Sequence, residues 1–178
     1  FNRLVNELLE ISGYDAGVAA LDLADLDVVR FLQATVANDP TLVLTIPPAT
    51  GALIIDADKR RLARVMANLL DNARRYGGGA TAVILEHDET IRIAVEDDGP
   101  GVPEAERQEI FDRFARGSTG GRRGADDGTG LGLSLVVEDL RLHQGRAWAE
   151  DRSDGRRGAR FVLELPLTLA SQDPEVEW

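Results

Sequence analysis

Apolar residues recur at helical spacing over residues 58–76, and this stretch predicts a long helix that ends at three consecutive glycines, 77–79. The apolar stripe consists of Leu62, Val65, Met66, Leu69 and Ala73. Asn68 and Asn72 lie one turn apart beside this stripe, although asparagine is a poor helix former. The pattern therefore predicts a helix that packs on the core. Its amide pair either lines a polar pocket or is simply exposed to solvent.

Alternating or short apolar runs predict the strands, and stretches with helical spacing predict the other helices. The predicted strands are residues 21–23, 42–46, 52–55, 82–85, 91–95, 146–150 and 159–165. The other predicted helices are residues 1–12, 28–36, 104–111 and one from 132 to about 145. Residues 115–127 are polar, rich in glycine and without periodicity, which predicts a mobile loop.

This mixture of strands and helices, with a hairpin around residues 87–89, predicts the α+β class. We expect a two-layer α/β sandwich in which helices pack on one face of a mixed, largely antiparallel sheet.

The composition of the chain argues against several kinds of partner and binding site. The 178 residues carry a net charge of −11, which argues against nucleic acid or an anionic membrane as a partner. Without cysteine the chain has no disulfides or thiolate metal sites. No apolar run is long enough to span a membrane, so we expect no membrane contact by this chain. Since Met66 is the only methionine, we expect the chain to be a piece of a longer protein.

A glycine-rich segment, residues 128–132, precedes the helix predicted from residue 132. Glycines allow close approach of the backbone, and the amides at a helix N-terminus attract anions, so this segment suits a phosphate. The dinucleotide fingerprint requires a preceding strand, but a polar loop stands there. The P-loop requires a lysine after its glycines, but the only lysine is Lys59. The lysine and the His-Arg-Asp loop of protein kinases are also missing.

Four short motifs follow one another along the chain: Asn68-x-x-x-Asn72, Asp97-x-Gly99-x-Gly101, Phe111-x-x-Phe114 and Gly128-x-Gly130-x-Gly132. In this order they resemble the N, G1, F and G2 boxes of the ATP-binding catalytic domain of bacterial two-component sensor histidine kinases. These kinases share their pocket with gyrase-type and chaperone-type ATPases. The resemblance covers residues 18–168. It implies that residues 1–17 are the end of a second dimerisation helix with its linker, and that 169–178 are a C-terminal tail.

The resemblance also implies the roles of individual residues toward ATP and Mg²⁺. Asp97 would accept the exocyclic amine of adenine, with Gly99 and Gly101 passing close under the base. Asn72 would be the magnesium ligand, a role that suits an amide oxygen. Tyr76 would pack on adenine, and Arg75 would face the phosphates.

Further residues would contact the phosphates or assist transfer. The start of the helix near Gly132 would meet the phosphates, and the loop 115–127 would be the ATP lid. The cofactor-binding set is completed by Asn68, Arg116, Thr129, Gly130 and Leu131. The catalytic set is Asn68, Asn72 and Arg113. Phe111 and Phe114 either contact the ligand or anchor the loop to the core.

The two histidines have simpler interpretations. His87 begins a sequence that is similar to the family's phosphoacceptor pattern, but it lies at a predicted hairpin, so we interpret it as a turn residue. His143 lies in the last turn of a helix, where a partly cationic imidazole suits the helix dipole.

The resemblance implies a catalytic domain that binds Mg-ATP and donates the γ-phosphate to a histidine on its own dimerisation domain, within a homodimer. The phosphate would then pass to an aspartate of a response regulator. The domain would lie in the cytoplasm, as part of an inner-membrane or plasma-membrane sensor. The alternatives are an ATP-hydrolysing relative, an anti-sigma-type serine kinase and a nucleotide-binding module without transfer. Intact motifs argue against the last of these, and the N-terminal helix remnant argues against the anti-sigma type.

Overall fold

The computed structural model describes residues 5, 12–14, 20–37, 39–115 and 129–167. Several predictions lie outside this range: most of the 1–17 segment, the tail 169–178, nearly all of the loop 115–127, and both Arg116 and Gly128.

The described residues form short strands and three longer helices. The strands are β1 (Ala24–Asp27), β2 (Val43–Thr45), β3 (Ile54–Ala57), β4 (Ala80–His87), β5 (Thr90–Asp97), β6 (Arg146–Glu150) and β7 (Arg160–Pro166). The helices are α1 (Val28–Val36), α2 (Lys59–Tyr76) and α3 (Gly132–Leu142), with 3₁₀ turns at Glu104–Glu106 and Glu109–Phe111. No helix within these ranges is both long and apolar enough to cross a membrane.

The main sheet has the strand order β2-β4-β5-β7-β6. β2 runs parallel to β4, and the other neighbours are antiparallel. β1 and β3 pair separately as an antiparallel ribbon. The predicted α+β class with a mixed, largely antiparallel sheet is therefore confirmed.

The apolar stripe of α2 lies at the centre of the core, and none of its five residues is more than 3% exposed. It packs with the buried positions of β5, Ile91, Ile93 and Val95, in one continuous cluster. Asp58 caps the helix by accepting hydrogen bonds from the backbone N–H groups of Arg60 and Arg61, at 3.0 and 3.2 Å. The predicted helix and its buried face are confirmed.

The opposite face of the sheet carries pairs of opposite charge on neighbouring strands. Glu164 on β7 lies between Arg92 and Arg146, with both ion pairs at 2.7 Å. Arg160 contacts Glu96 at 2.9 Å and Glu150 at 3.0 Å. Cross-strand pairs of this kind add stability to a sheet.

Tyr14 belongs to a second, smaller cluster with Leu131 and Leu135 of the α3 region. Its hydroxyl donates to Asp139, a fully buried carboxylate on α3. Arg61 and Arg64 of α2 also donate to Asp139, at 3.0 and 2.7 Å. The carboxylate thus joins α2, α3 and Tyr14.

Two local predictions were wrong. The first strand is Ala24–Asp27 rather than 21–23, because its residues pair with β3 and Leu23 is 49% exposed. The helix predicted over 104–111 is two 3₁₀ turns, since this segment has no repeating apolar stripe. His143 is buried directly after α3, and its Nε2 accepts the backbone N–H of Asp58 at 3.0 Å.

Candidate nucleotide-binding site

Asp97 lies at the end of β5 and is only 3% exposed. Its Oδ1 accepts hydrogen bonds from the backbone N–H groups of Gly99, at 2.8 Å, and Ala159, at 3.2 Å. Burial raises the pKa of the Asp97 carboxyl, while the two amides oppose this rise. With Oδ1 engaged twice, Oδ2 remains the acceptor available to a ligand.

Two glycines leave room for this carboxylate. A Cβ added at Gly77 would lie 2.3 Å from Cγ of Asp97, and one at Gly99 would lie 2.6 Å from Cα of Gly77. The C-terminus of α2 and the loop after β5 are therefore in contact around Asp97. Gly101 has a φ of +79°, which favours glycine, and a Cβ there would lie 2.9 Å from the carbonyl oxygen of Gly158.

The amide of Asn68 points toward the start of α3. A Cβ added at Gly132 would lie 3.6 Å from its Oδ1. Its Nδ2 is buried and has no hydrogen-bond partner in the part of the chain that the structure describes. A buried donor of this kind requires an acceptor, which a ligand oxygen can supply. Asn72 lies one turn further along α2 and is half-buried.

The N-terminus of α3 carries no side-chain cap. No described side chain caps its first N–H groups, and an uncapped helix N-terminus of this kind attracts anions. Leu131, at the cap position, is fully buried, and its N–H donates to Thr129 Oγ1 at 3.3 Å. Gly130 has a φ of +71°, and its carbonyl oxygen accepts the N–H of Phe114 at 2.9 Å.

Residues 57–169 match the family described as histidine kinase-, DNA gyrase B- and HSP90-like ATPase. The chain belongs to this family.

Relatives and solved structures in the histidine-kinase branch of the family resemble the chain over most of its length. The signal transduction histidine-protein kinase AfsQ2 of Streptomyces coelicolor is 38% identical over 174 residues, which is 97% of this chain and 31% of that protein. The ATP-binding domain of PrrB from Mycobacterium tuberculosis is 31% identical with a TM-score of 0.62, and the match covers 83% of this chain and 99% of that domain. Full-length ShkA in complex with AMPPNP is 26% identical with a TM-score of 0.73, over 94% and 36% of the two chains. The chain spans about a third of the length of the curated relatives that it matches.

The aromatic and cationic residues of this histidine-kinase-type domain lie at the edge of the site. Tyr76 is 45% exposed beside Gly77. Arg75 binds Asp71 at 2.9 Å, one turn back on α2. Arg113 lies 3.8 Å from Glu138 of α3, with its side chain 37% exposed. Arg116 falls outside the described residues, and the ligand contacts of all four remain predictions.

The two phenylalanines of the F box differ. Phe111 packs edge-on against Phe161, with ring centroids 6.4 Å apart, and lies against the main core cluster, which fits the alternative that it anchors this segment. Phe114 is 61% exposed, which does not fit the alternative that it anchors the loop to the core. Its φ of +64° and its bond to Gly130 turn the backbone toward the G2 box and leave the ring at the surface.

His87 is the last residue of β4 and is exposed, as predicted for a hairpin residue. Its Nε2 lies 3.0 Å from the hydroxyl of Thr50.

A groove of about 660 Å³ lies between residues 100–104 and the β6–β7 loop. Gly101 is the one predicted site residue that lines it. The groove is therefore separate from the Asp97 and Asn68 side chains, on which the nucleotide prediction depends.

Sequence reasoning missed Arg152 and Gly158, which contact Asp97 from the β6–β7 loop. Arg152 donates to the Asp97 carbonyl oxygen at 2.9 Å, and a Cβ at Gly158 would lie 1.9 Å from that oxygen. An arginine among charged turn residues carries no signal of burial. The available signal was Gly158, one of the two glycines in this polar loop.

Proposed function

We propose that this chain is the Mg-ATP-binding catalytic domain of a sensor histidine kinase. It donates the γ-phosphate to a histidine on the dimerisation domain of the same protein, within a homodimer, and the phosphate passes to an aspartate of a response regulator. The observation that carries the proposal is Asp97, a buried carboxylate with one oxygen fixed by two backbone amides. The names of the relatives, and the AMPPNP complex of ShkA, support it.

The geometry of Asp97 suits adenine. Adenine carries an exocyclic amine, which is a hydrogen-bond donor, whereas guanine carries a carbonyl oxygen at the corresponding position. An ionised carboxylate accepts hydrogen bonds and donates none. Guanine would therefore place an acceptor against the acceptor Oδ2, and we expect a preference for ATP over GTP.

The amide pair and α3 suit the triphosphate and its metal. Mg²⁺ is commonly held by one or two protein oxygens together with phosphates and water. Within the described part of the chain no cluster of three or more acidic or histidine ligands is present, so the Asn72 amide oxygen with the phosphates fits this pattern. The uncapped N-terminus of α3 and the buried Nδ2 of Asn68 would face phosphate oxygens.

Transfer to a histidine is favoured over hydrolysis by the residue at position 68. An asparagine can orient a water molecule, but it cannot take a proton from it at neutral pH. An imidazole needs little deprotonation before it attacks. Phosphoryl transfer depends mainly on positioning and charge stabilisation, which this site can supply without a general base.

The proposal places the domain in the cytoplasm, where ATP is available, as part of a membrane-bound sensor. A domain of this kind meets its own dimerisation domain and a response regulator, and the net charge of −11 disfavours nucleic acid as a further partner.

Calorimetric titration of the chain with ATP and GTP in the presence of Mg²⁺ tests the binding step. We expect a dissociation constant for ATP between about 1 μM and 1 mM, the range of enzymes for their substrates, and weaker binding of GTP. Equal affinities would contradict the assignment of Asp97 to the base.

The transfer step is tested with radiolabelled ATP and a separately prepared dimerisation fragment of the same protein. Acid-labile label is expected on that fragment when the chain is present. No label on an intact, dimeric fragment would contradict the kinase proposal.

A further inference from the structure

Arg152 is a buried arginine in the loop between β6 and β7, with its side chain only 5% exposed. Its Nη1 donates to the backbone oxygen of Asp97 at 2.9 Å, to Oδ1 of Asp98 at 2.5 Å and to the hydroxyl of Thr81 at 3.2 Å. Its Nε and Nη2 bind the two carboxylate oxygens of Asp154, at 3.0 and 2.8 Å. One guanidinium thus joins β4, the end of β5 and the β6–β7 loop.

The rest of the loop holds Asp97 from the same side. Ala159 exchanges two bonds with Asp97: its carbonyl oxygen accepts the Asp97 N–H at 3.0 Å, and its own N–H donates to Oδ1 at 3.2 Å. Gly158 has a φ of +146° and lies against the Asp97 carbonyl oxygen. Cδ of Arg152 would lie 2.8 Å from a Cβ at Gly158, so the arginine side chain lies across this glycine.

We propose that Arg152 is a positioning residue for base recognition, which fixes the Asp97 main chain so that its carboxylate keeps Oδ2 available to adenine. The inference rests on the proposed function, since it assigns Arg152 to the same nucleotide site. The planar fork of arginine makes this possible, because it binds a carboxylate with two donors while the third nitrogen reaches a different strand.

Arg152 also acts on the charge of Asp97. Burial raises the pKa of the Asp97 carboxyl; the N–H groups of Gly99 and Ala159 and the charge of Arg152 oppose the rise, and the neighbouring Asp98 adds to it. Protonation would place a hydrogen on Oδ2, because Oδ1 already accepts two bonds. Oδ2 would then present a donor to the amine of adenine, so ATP binding should weaken as the pH falls through this pKa.

Arg160 provides a matched control. Its side chain is also 5% exposed and binds Glu96, Glu86 and Glu150, but its guanidinium makes no bond to Asp97. Both arginines also contact the buried carboxylate of Glu96, at 3.5 Å for Arg152 and 2.9 Å for Arg160, so removing either one takes away one of its two cations and should lower the melting temperature. An effect on base recognition should follow only from the loss of Arg152.

The test measures affinity for ATP and for GTP by calorimetry between pH 5.5 and 8, in wild type, Arg152→Gln, Arg152→Lys and Arg160→Gln. For Arg152→Gln we expect ATP binding to weaken about tenfold or more, as for loss of a bond to a charged group, with little change for GTP. The pH at which ATP affinity declines should move upward. Arg152→Lys keeps the charge but not the fork, so affinity should fall while this pH stays close to that of wild type. Arg160→Gln should leave both the ATP/GTP ratio and the pH profile unchanged.

An unchanged ATP/GTP ratio and pH profile in folded Arg152→Gln would overturn the inference. If that variant does not fold, wild-type affinity in Arg152→Lys would overturn it instead. Failure of wild type itself to bind ATP would refute the proposed function, which is a separate outcome.

Discussion

Replacing Asp97 with asparagine should weaken ATP binding and at the same time stabilise the empty domain at neutral pH. The amide oxygen of the new side chain can still accept the N–H groups of Gly99 and Ala159, which bind Oδ1 at 2.8 and 3.2 Å in wild type. The amide nitrogen takes the place of Oδ2. The substitution thus keeps the loop geometry and changes one acceptor into a donor.

The loss of affinity can be estimated from one hydrogen bond. A bond to a charged group contributes about 1.5–3 kcal/mol, which corresponds to about 10-fold to 150-fold in the dissociation constant. The new N–H would also face the N–H of adenine, so the lower figure is a minimum. We therefore expect ATP affinity to fall at least about tenfold.

The same substitution should stabilise the fold, because the pKa of Asp97 is raised in the folded state. The ionised carboxylate is then less favourable in the folded chain than in the unfolded one. This unfavourable contribution is complete above the folded pKa and disappears as the pH falls through it toward the ordinary value of 3.8. The asparagine variant should therefore melt at a higher temperature than wild type at pH 7, with a smaller difference at pH 4.

Calorimetric titration and thermal melts without nucleotide measure both effects. Asp88→Asn, at the exposed β4–β5 turn, is the control and should change neither. Unchanged ATP affinity in Asp97→Asn would refute the assignment of Asp97 to the base, and a lower melting temperature at pH 7 would refute the argument from burial.

Three further predictions use other parts of the site. Gly77→Ala should abolish ATP binding and lower the free energy of unfolding by about 1–3 kcal/mol, because its Cβ would lie 2.3 Å from Cγ of Asp97. Gly51→Ala is the control: a Cβ there meets no atom of the described residues within 4 Å, so it should change neither ATP affinity nor stability. Calorimetry and denaturant unfolding compare the two variants. Hydrolysis of ATP by the chain alone should be far slower than the typical enzyme turnover of about 10 per second, since Asn68 is not a base; phosphate release near that rate would favour an ATPase. Radiolabelled ATP should leave no acid-labile label on the chain, because His87 lies at a hairpin; label that is lost in His87→Ala would contradict this.

Local periodicity was sufficient to predict the parts of the fold that depend on neighbouring residues. The buried stripe of α2 and the β4–β5 hairpin follow from spacing alone, and both were predicted. Where spacing was weak, the prediction failed: the strand placed at 21–23 is β1 at Ala24–Asp27, which is fixed by pairing with β3.

The contacts that the sequence did not reveal all join residues that lie far apart in the chain. Arg152 and Asp97 are 55 residues apart, and no pattern around Arg152 distinguishes it from the exposed Arg156 and Arg157. His143 was interpreted from its place at a helix end, but its Nε2 accepts the backbone N–H of Asp58, 85 residues away. The motifs identified the residues that would face the ligand. The residues that hold those residues in place, such as Arg152, are determined by tertiary contacts.

The position of Tyr14 affects how this domain can be separated from the chain before it. Its side chain packs with Leu131 and Leu135 in one cluster, and its hydroxyl donates to the fully buried Asp139. A recombinant fragment that began after this residue would expose two leucines next to the G2 box and leave Asp139 with its arginine partners alone. Fragments made for crystallography or binding work should therefore begin upstream of Tyr14. A comparison of two fragments that differ only in this start would measure how much Tyr14 contributes to the stability of the fold.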